Sequence, residues 1–508
     1  MPILGDIIQR GVSLSSKVRF TSQNAILQQE KMLKKLLRKA TPTAFGIHYN
    51  FKDILQSDDV FQMFQAHVPI FDYNAIYEQW WHRSLAQEAN VCWPGKIKYF
   101  ALSSGTSGSP SKHIPVTTDL IKANKRASME LFLSLPNYKL DTSIYTKPMM
   151  LLGGCVDLED KGGYFVGDLS GINAKNRPFW FSPFYKPGFK IAKLKNWNQR
   201  IDQIVKQAPK WDIGVIGGIP AWVHLMLERI VTTHKLDTIN DIWPNLQVYA
   251  TGGVAFDPYR KAFDALTNRP LSIMDTYLAS EGFVAVQTRP ETRAMKMLLD
   301  NGIFFEFIPF NEDNFDEEGQ LRPNPEVLTI KHVQEGVDYA LILSTCAGTW
   351  RYMIGDTIQF TDLHRNEIII TGRTQHFLSI CGEHLSIANM NQAIEMLEEE
   401  MEISVKEFTV AGIQKNDRFT HKWYLANESN IDKSKVQRIL DEHLKKVNDD
   451  YATERSAVLD IEVELVPTHL FYKWHEQKGK LGGQHKFPRV MKKERFKQWE
   501  AFVQREIN

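Results

Sequence analysis

Ten consecutive residues, Ser103-Ser104-Gly105-Thr106-Ser107-Gly108-Ser109-Pro110-Ser111-Lys112, combine small side chains, several hydroxyls and a closing cation. Small side chains let backbone N–H groups approach a polyanion, and the hydroxyls and lysine add donors and charge. A phosphate-holding loop needs these properties. The common P-loop template does not fit, because Lys112 follows Ser111 and precedes His113 rather than leading a Lys-Ser or Lys-Thr pair. A flexible Ser/Gly linker is the other reading. The strand-like alternation over 97–102 that runs straight into the loop, and the terminal lysine, argue against it. Beyond the loop, Thr117 or Thr118 is the expected cap of a helix entering through Asp119-Leu120-Ile121.

Three further groups of residues carry chemistry. Asp275-Thr276-Tyr277-Leu278-Ala279-Ser280-Glu281-Gly282 follows an apolar run over 271–274, which reads as a strand. An aromatic face such as that of Tyr277 can stack on a base, and the Glu281 carboxylate can hold Mg²⁺ already bound to phosphate oxygens. A strand end with a buried tyrosine reads equally well. Trp350-Arg351-Tyr352-Met353-Ile354-Gly355-Asp356 is followed by Ile368-Ile369-Ile370-Thr371-Gly372-Arg373. Asp356 can accept from both hydroxyls of a ribose, with Arg373 in support; a plain β-turn and a surface arginine share this pattern. Gly482-Gly483-Gln484-His485-Lys486 presents a lysine on a glycine-rich run. That suits delivery of a point charge to a developing phosphate anion, although a solvated basic tail has the same composition.

These residues must be held by a large mixed scaffold. With 508 residues the chain has room for two or more domains and a large core. Lys+Arg number 61 and Asp+Glu 60, so bulk charge argues against a nucleic-acid partner. Cys92, Cys155, Cys346 and Cys381 lie far apart without a Cys-x-x-Cys pair, which argues against a zinc site or disulfide framework and for a reducing cytoplasm. The most apolar stretches are strand-sized, so no membrane span is expected. A helix over about 26–40 carries one apolar face ringed by Lys31, Lys34, Lys35, Arg38 and Lys39; contact with a membrane surface is one reading, and the expectation is a packed helix with a solvated side.

Residues 20–90 read as mostly helical. From 96 to 290 short apolar runs (149–152, 213–216, 246–250, 271–274) alternate with helical stretches, which predicts α/β layers. In such sheets ligands gather at the carboxyl ends of strands. Strands are expected over 303–308, 327–331, 339–344, 356–360 and 367–370. A different texture follows: a helix over 387–401, strands over 404–412 and 422–427, a helix over 433–446 and a strand over 457–465. The predicted division is a domain at 1–379 and a second, α/β, at 380–508.

Taken together, the order of motifs resembles the adenylate-forming superfamily of acyl-CoA synthetases, luciferases and peptide-synthetase activation domains. It more closely resembles the auxin-responsive acyl acid amido synthetases of plants and their bacterial relatives. Ser103-Ser104-Gly105-Thr106-Ser107 through Lys112-His113-Ile114-Pro115 resembles that family's phosphate loop, Tyr277-Leu278-Ala279-Ser280-Glu281 its second motif, and Arg351 through Asp356 its third. Val68-Pro69-Ile70 before Asp72-Tyr73, Trp243-Pro244-Asn245-Leu246 leading to Thr251-Gly252-Gly253, and Phe304-Phe305-Glu306-Phe307 agree as well. The likeness runs over nearly the whole chain.

The resemblance implies a large nucleotide- and acyl-binding domain, a small mobile C-terminal domain, and ATP with Mg²⁺. A carboxylic acid would be adenylated and its acyl group passed to an amine such as an amino acid. By the same resemblance Ser103, Ser104, Gly105, Thr106, Ser107 and Lys112 grip phosphates, and Tyr277 with Ser280 and Thr251-Gly252-Gly253 holds the nucleotide. Asp356 and Arg373 bind ribose, Glu281 ligates Mg²⁺, and Lys486 is the catalytic charge. An acyl-CoA ligase using the same adenylate, or a nucleotide-binding relative without activity, remains an alternative. The chain departs from the family in two places: Cys381-Gly382-Glu383 stands where plant members carry an acidic run, and Gln375 stands where many superfamily members have a hinge aspartate.

Overall fold

The computed structural model describes residues 6, 9–12, 24–103, 112–253, 256, 259–316, 319–374, 377–378, 383, 385–415, 418–428, 431–456, 459–477, 487–491 and 493–507. They form a mixed α/β fold in two compact units, one made of 1–103 and 113–374 and the other of 375–508 together with 104–112.

The larger unit begins with helices. In Ala25–Ala40, Asn24 caps the first turn by accepting from the Ile26 N–H (2.9 Å), and Met32, Leu33, Leu36, Leu37 and Ala40 are buried along one side. Lys31, Lys35, Arg38 and Lys39 lie exposed around that face, so the helix is packed with a solvated back, as its periodicity predicts. The apolar side joins an aromatic core in which Phe45, Phe51, Phe64 and Trp350 are fully buried.

Two sheets follow. The smaller contains β1 (Tyr99–Ser103), β2 (Lys112–Val116), β4 (Glu159–Asp160) and β5 (Phe165–Gly167), in the order β2-β1-β5-β4. The larger has eleven strands. Its parallel part comprises β3 (Met149–Leu152), β6 (Tyr185–Lys186), β7 (Val215–Gly218), β8 (Val248–Gly252) and β9 (Ser272–Ala279). Its antiparallel part comprises β10 (Gly282–Val286), β11 (Met295–Met297), β12 (Ile303–Pro309), β13 (Asp338–Thr345), β14 (Tyr352–Asp362) and β15 (Glu367–Arg373). The order is β12-β13-β14-β15-β11-β10-β9-β8-β7-β3-β6. Strand β9 therefore has a parallel neighbour on one side and an antiparallel one on the other.

Thr117 is the cap of helix Thr118–Ser134: its hydroxyl accepts from the Leu120 N–H and donates to the Cys346 carbonyl (2.7 Å), fastening the helix start to the loop after β13. Two expectations need correction. The run over 271–274 does not end a strand; β9 continues to Ala279, so Tyr277 lies within it. Residues 327–331 form no strand, only a single bridge from Leu328 to Phe307, in a short half-buried crossing that follows Pro323 and Pro325.

In the smaller unit β16 (Phe377–Leu378) pairs with β17 (Leu385–Ser386), which leads into helix Ile387–Met401. Strand β18 (Phe408–Lys415) runs antiparallel to β19 (Arg418–Ala426), and β20 (Leu459–Val466) runs parallel to β19. A parallel pair needs a long crossover, and helices Lys433–Val447 and Asp449–Arg455 supply it. Phe471, Trp474, Phe487, Trp499 and Phe502 pack as one aromatic core.

Candidate nucleotide site

Strands β14 and β15 place Asp356 directly opposite Arg373. Arg373 Nε donates to Asp356 Oδ1 (2.7 Å), and from β9 the Tyr277 hydroxyl donates to Asp356 Oδ2 (2.5 Å). Each oxygen keeps acceptor capacity, since an ionised carboxylate offers about four lone-pair sites. The Asp356 side chain is 15% exposed and that of Arg373 29%, so both reach the surface. Gly355, at φ +90°, turns the backbone just before Asp356.

Burial raises the Tyr277 hydroxyl pKa well above its usual range, and the charges of Asp356 and Glu281 add to the effect. The group therefore remains a proton donor. Burial opposes charge on Arg373, but Asp356, Tyr277 and Glu281 together hold its pKa above the usual guanidinium value.

Glu281 follows Ser280 in the two-residue turn between β9 and β10, with Ala279 paired to Gly282. It is buried, and its charge reaches Tyr352 as well as Tyr277 and Arg373. Tyr352 is itself pushed far up by burial and then by Glu281 and Tyr73. Tyr73 stacks on Tyr77 and accepts from the His113 N–H (2.9 Å), which ties the strand entered by Lys112 to the same region.

Thr251, Gly252 and Gly253 stand at the carboxyl end of β8, with Thr251 opposite Asp275 and Gly252 opposite Thr276. Thr276 Oγ1 donates to the Thr251 carbonyl (2.9 Å). A Cβ on Gly252 would come within 2.5 Å of that hydroxyl oxygen, and Gly253 takes φ +86°. The glycines thus answer to close approach and conformation respectively. Arg293 holds Asp275 through two hydrogen bonds of 2.6 and 2.9 Å.

The structure thus brings Tyr277, Asp356, Arg373 and Glu281 into one electrostatic group and sets Thr251-Gly252-Gly253 at a parallel strand end. Ser103 closes β1 and Lys112 opens β2. Ser104, Gly105, Thr106, Ser107 and Lys486 lie outside the described residues, as do Gln375, Cys381 and Gly382. Tyr277 is 5% exposed and packs with Val284, Ala285 and Met295, with its hydroxyl on Asp356. The sequence assigns no role to Tyr352, Tyr73 or Thr276, although each stands beside or within a motif that carries candidate residues.

Arg351 belongs to the third motif but not to the site. It sits at φ +40°, is 4% exposed, and pairs with buried Glu306 while donating to the Val68 carbonyl (2.6 Å). It fixes the entry into β14.

Among the described residues no group of three His, Cys, Asp or Glu is placed to hold a resident metal. No described helix is long and apolar enough to cross a membrane.

Models of the GH3 family match the chain in three parts: the N-terminal domain at 15–203, the central domain at 296–370 and the C-terminal domain at 388–495. The indole-3-acetic acid-amido synthetase GH3.2 of Arabidopsis thaliana is 25% identical over 165 residues, covering 31% of this chain and 30% of that protein. GH3.4 of the same plant is 27% identical over 166 residues, covering 31% and 27%. The matches therefore span less than a third of these curated relatives. The solved acyl acid amido synthetase AtGH3.15 in complex with 2,4-DB aligns with a TM-score of 0.57 and 18% identity, covering 97% of this chain and 96% of that one. A 2-hydroxyisobutyryl-CoA ligase with 2-HIB-AMP and CoA aligns at 0.56 and 13%, covering 96% and 94%. The overall fold is shared with these two proteins, and with family models matched over more than half its length, this chain belongs to the GH3 family.

Proposed function

We propose that the chain is an ATP-dependent acyl acid amido synthetase: it adenylates a carboxylic acid and passes the acyl group to an amine, an amino acid in the favoured reading. The carrying observation is the Tyr277–Asp356–Arg373 group, in which two donors hold a carboxylate that can still accept hydrogen bonds at the surface. A ribose presents two adjacent hydroxyls to such an acceptor, and Arg373 keeps the acceptor charged and oriented. Thr251-Gly252-Gly253 would border the base, with its small residues leaving backbone groups accessible. Tyr277 acts through its hydroxyl on Asp356. Ser103, Ser104, Gly105, Thr106, Ser107 and Lys112 would grip phosphates.

A carboxylate is a poor electrophile because its leaving group would be oxide. Attack by its oxygen on the α-phosphorus of ATP forms an acyl-adenylate and releases pyrophosphate. The amine nitrogen then attacks the acyl carbon, AMP leaves and the nitrogen loses its proton. Glu281, a single buried hard oxygen ligand next to an arginine–aspartate pair, fits a Mg²⁺ that arrives with the nucleotide rather than a resident ion. Such an ion neutralises phosphate charge when bound. Lys486 would add charge at the α-phosphate from a C-terminal domain that moves between the half-reactions. The favoured location is the cytoplasm.

The same adenylate could be taken by the thiol of coenzyme A, and likeness to a CoA ligase keeps that second reading in view. Pyrophosphate release should be measured with a panel of carboxylic acids, followed by addition of amino acids or coenzyme A. Release followed by amide formation is the expected result. Thioester formation instead would favour the second reading, and no release with any acid would leave a nucleotide-binding protein without activity.

A further inference from the structure

The edge of the large sheet carries an unusual surface. Strand β6 is its last strand, and the segment around it reads Pro178-Phe179-Trp180-Phe181-Ser182-Pro183-Phe184-Tyr185-Lys186. Phe181 and Phe189 turn inward and pack with Val156, Tyr185 and Ala192. Phe179, Trp180 and Phe184 do not: they are 87%, 59% and 39% exposed. Large aromatic side chains this exposed, within six residues, form a patch rather than scattered surface apolars. Backbone bonds hold the platform, since the Phe184 carbonyl accepts from the Met149 N–H (2.7 Å) and the Phe181 carbonyl from the Phe184 N–H (3.0 Å).

The charge of the segment itself is one-sided. From 175 to 195 the chain has Lys175, Arg177, Lys186, Lys190, Lys193 and Lys195 and no acidic residue, in a protein with 61 Lys+Arg and 60 Asp+Glu overall. Lys190, Lys193 and Lys195 are exposed. Among the described residues, Lys195 meets Asp157 at 3.6 Å, and both side chains are solvent-exposed, so the pair is weak.

We propose that this edge is a peripheral docking surface for an anionic lipid bilayer. Phe and Trp side chains insert at the headgroup boundary, and flanking lysines add attraction to negative headgroups. A second copy of the chain is a poorer occupant, because two such faces would bring like charges together. The surface is separate from the nucleotide group, since β6 lies three strands beyond β8 in the sheet.

The test is co-sedimentation of the full chain with vesicles of phosphatidylcholine alone and of phosphatidylcholine containing about a third phosphatidylserine. The expected result is binding to the anionic vesicles only, falling with salt and reduced at least about fivefold in Phe179→Ser/Trp180→Ser and in Lys190→Glu/Lys193→Glu. These side chains are exposed, so thermal unfolding should stay near the parent's. Equal binding to both vesicle types, or unchanged binding by both variants, overturns the proposal. So does a salt-independent dimer in sedimentation velocity that the aromatic variant abolishes, which would make the face a self-interface. Loss of pyrophosphate release on a water-soluble acid with vesicle binding intact would place the aromatics on a substrate path and overturn it too. Pyrophosphate release by the parent reports on the proposed enzyme activity separately.

Discussion

Tyr277 and Arg351 divide the motif residues between the proposed site and the scaffold. The Tyr277 hydroxyl is one of two donors on Asp356, so Tyr277→Phe removes one bond and leaves the ring packing untouched. A net hydrogen bond to a charged group is worth about 1.5–3 kcal/mol, so kcat/KM for ATP should fall roughly tenfold or more, with the fold intact. Pyrophosphate-release kinetics beside circular dichroism would check this; an unchanged kcat/KM would detach Tyr277 from the site. Arg351 should behave differently. Its partner Glu306 has a side chain only 1% exposed, and Glu306→Gln leaves a buried guanidinium short of its charge partner. Breaking a buried pair costs about 3–5 kcal/mol, so the urea midpoint should drop sharply, while kcat/KM per folded molecule stays closer to the parent's than in Tyr277→Phe.

At the scale of elements, helix Thr118–Ser134 offers a pH-dependent test. Asp119 in its first turn meets Lys39 at the end of helix Ala25–Ala40 (2.5 Å) and the Trp93 indole N–H (2.9 Å). Burial works against the Asp119 charge, but these two donors outweigh it and leave the pKa below the usual value of 3.8. A carboxylate depressed on folding stabilises the native state above its unfolded pKa, and that contribution disappears as pH falls through the folded value. Lys39 is half exposed, so solvent screening limits the contribution to roughly 1 kcal/mol. Asp119→Asn should therefore be less stable than the parent at neutral pH, with the gap closing below about pH 4. Urea titrations at several pH values would show it, and a constant gap would assign the loss to helix capping. Elements with simple periodicity were legible in the sequence: strand Met149–Leu152 and helix Ile387–Met401 fall where the pattern puts them. Strand β9 runs past the end its sequence suggests: Asp275 and Thr276 look like a strand end, but Arg293 and the Thr251 carbonyl satisfy them within the sheet. The site divides the same way. Asp356 and Arg373 share a hairpin, so short spacing reveals them. Tyr277 comes from a strand 79 residues earlier and its partner depends on sheet order, which spacing does not encode.

For the whole molecule, the sharpest consequence of the proposed activity concerns Lys486, far beyond Arg373 in sequence and carried by the C-terminal portion that begins after 374. Adenylation gathers negative charge on the α-phosphate as the bond to pyrophosphate breaks. A lysine that meets this charge only in a closed arrangement lowers the barrier without tightening ATP in the ground state, the pattern of a contact made mainly in the transition state. Removing one preorganised oxyanion-stabilising group costs about a hundredfold to a thousandfold in rate. Lys486→Ala should therefore slow pyrophosphate release by that order, while ATP affinity changes little. Once the adenylate exists the developing charge is gone, so an acyl-adenylate supplied from outside should react with amine near the parent's rate. Rapid-quench measurement of each half-reaction separates the cases. Equal slowing of both would mean that Lys486 supports the structure generally or that the two half-reactions share one arrangement. No slowing of either would remove Lys486 from the chemistry and leave the positive charge on the α-phosphate to Lys112 or Arg373.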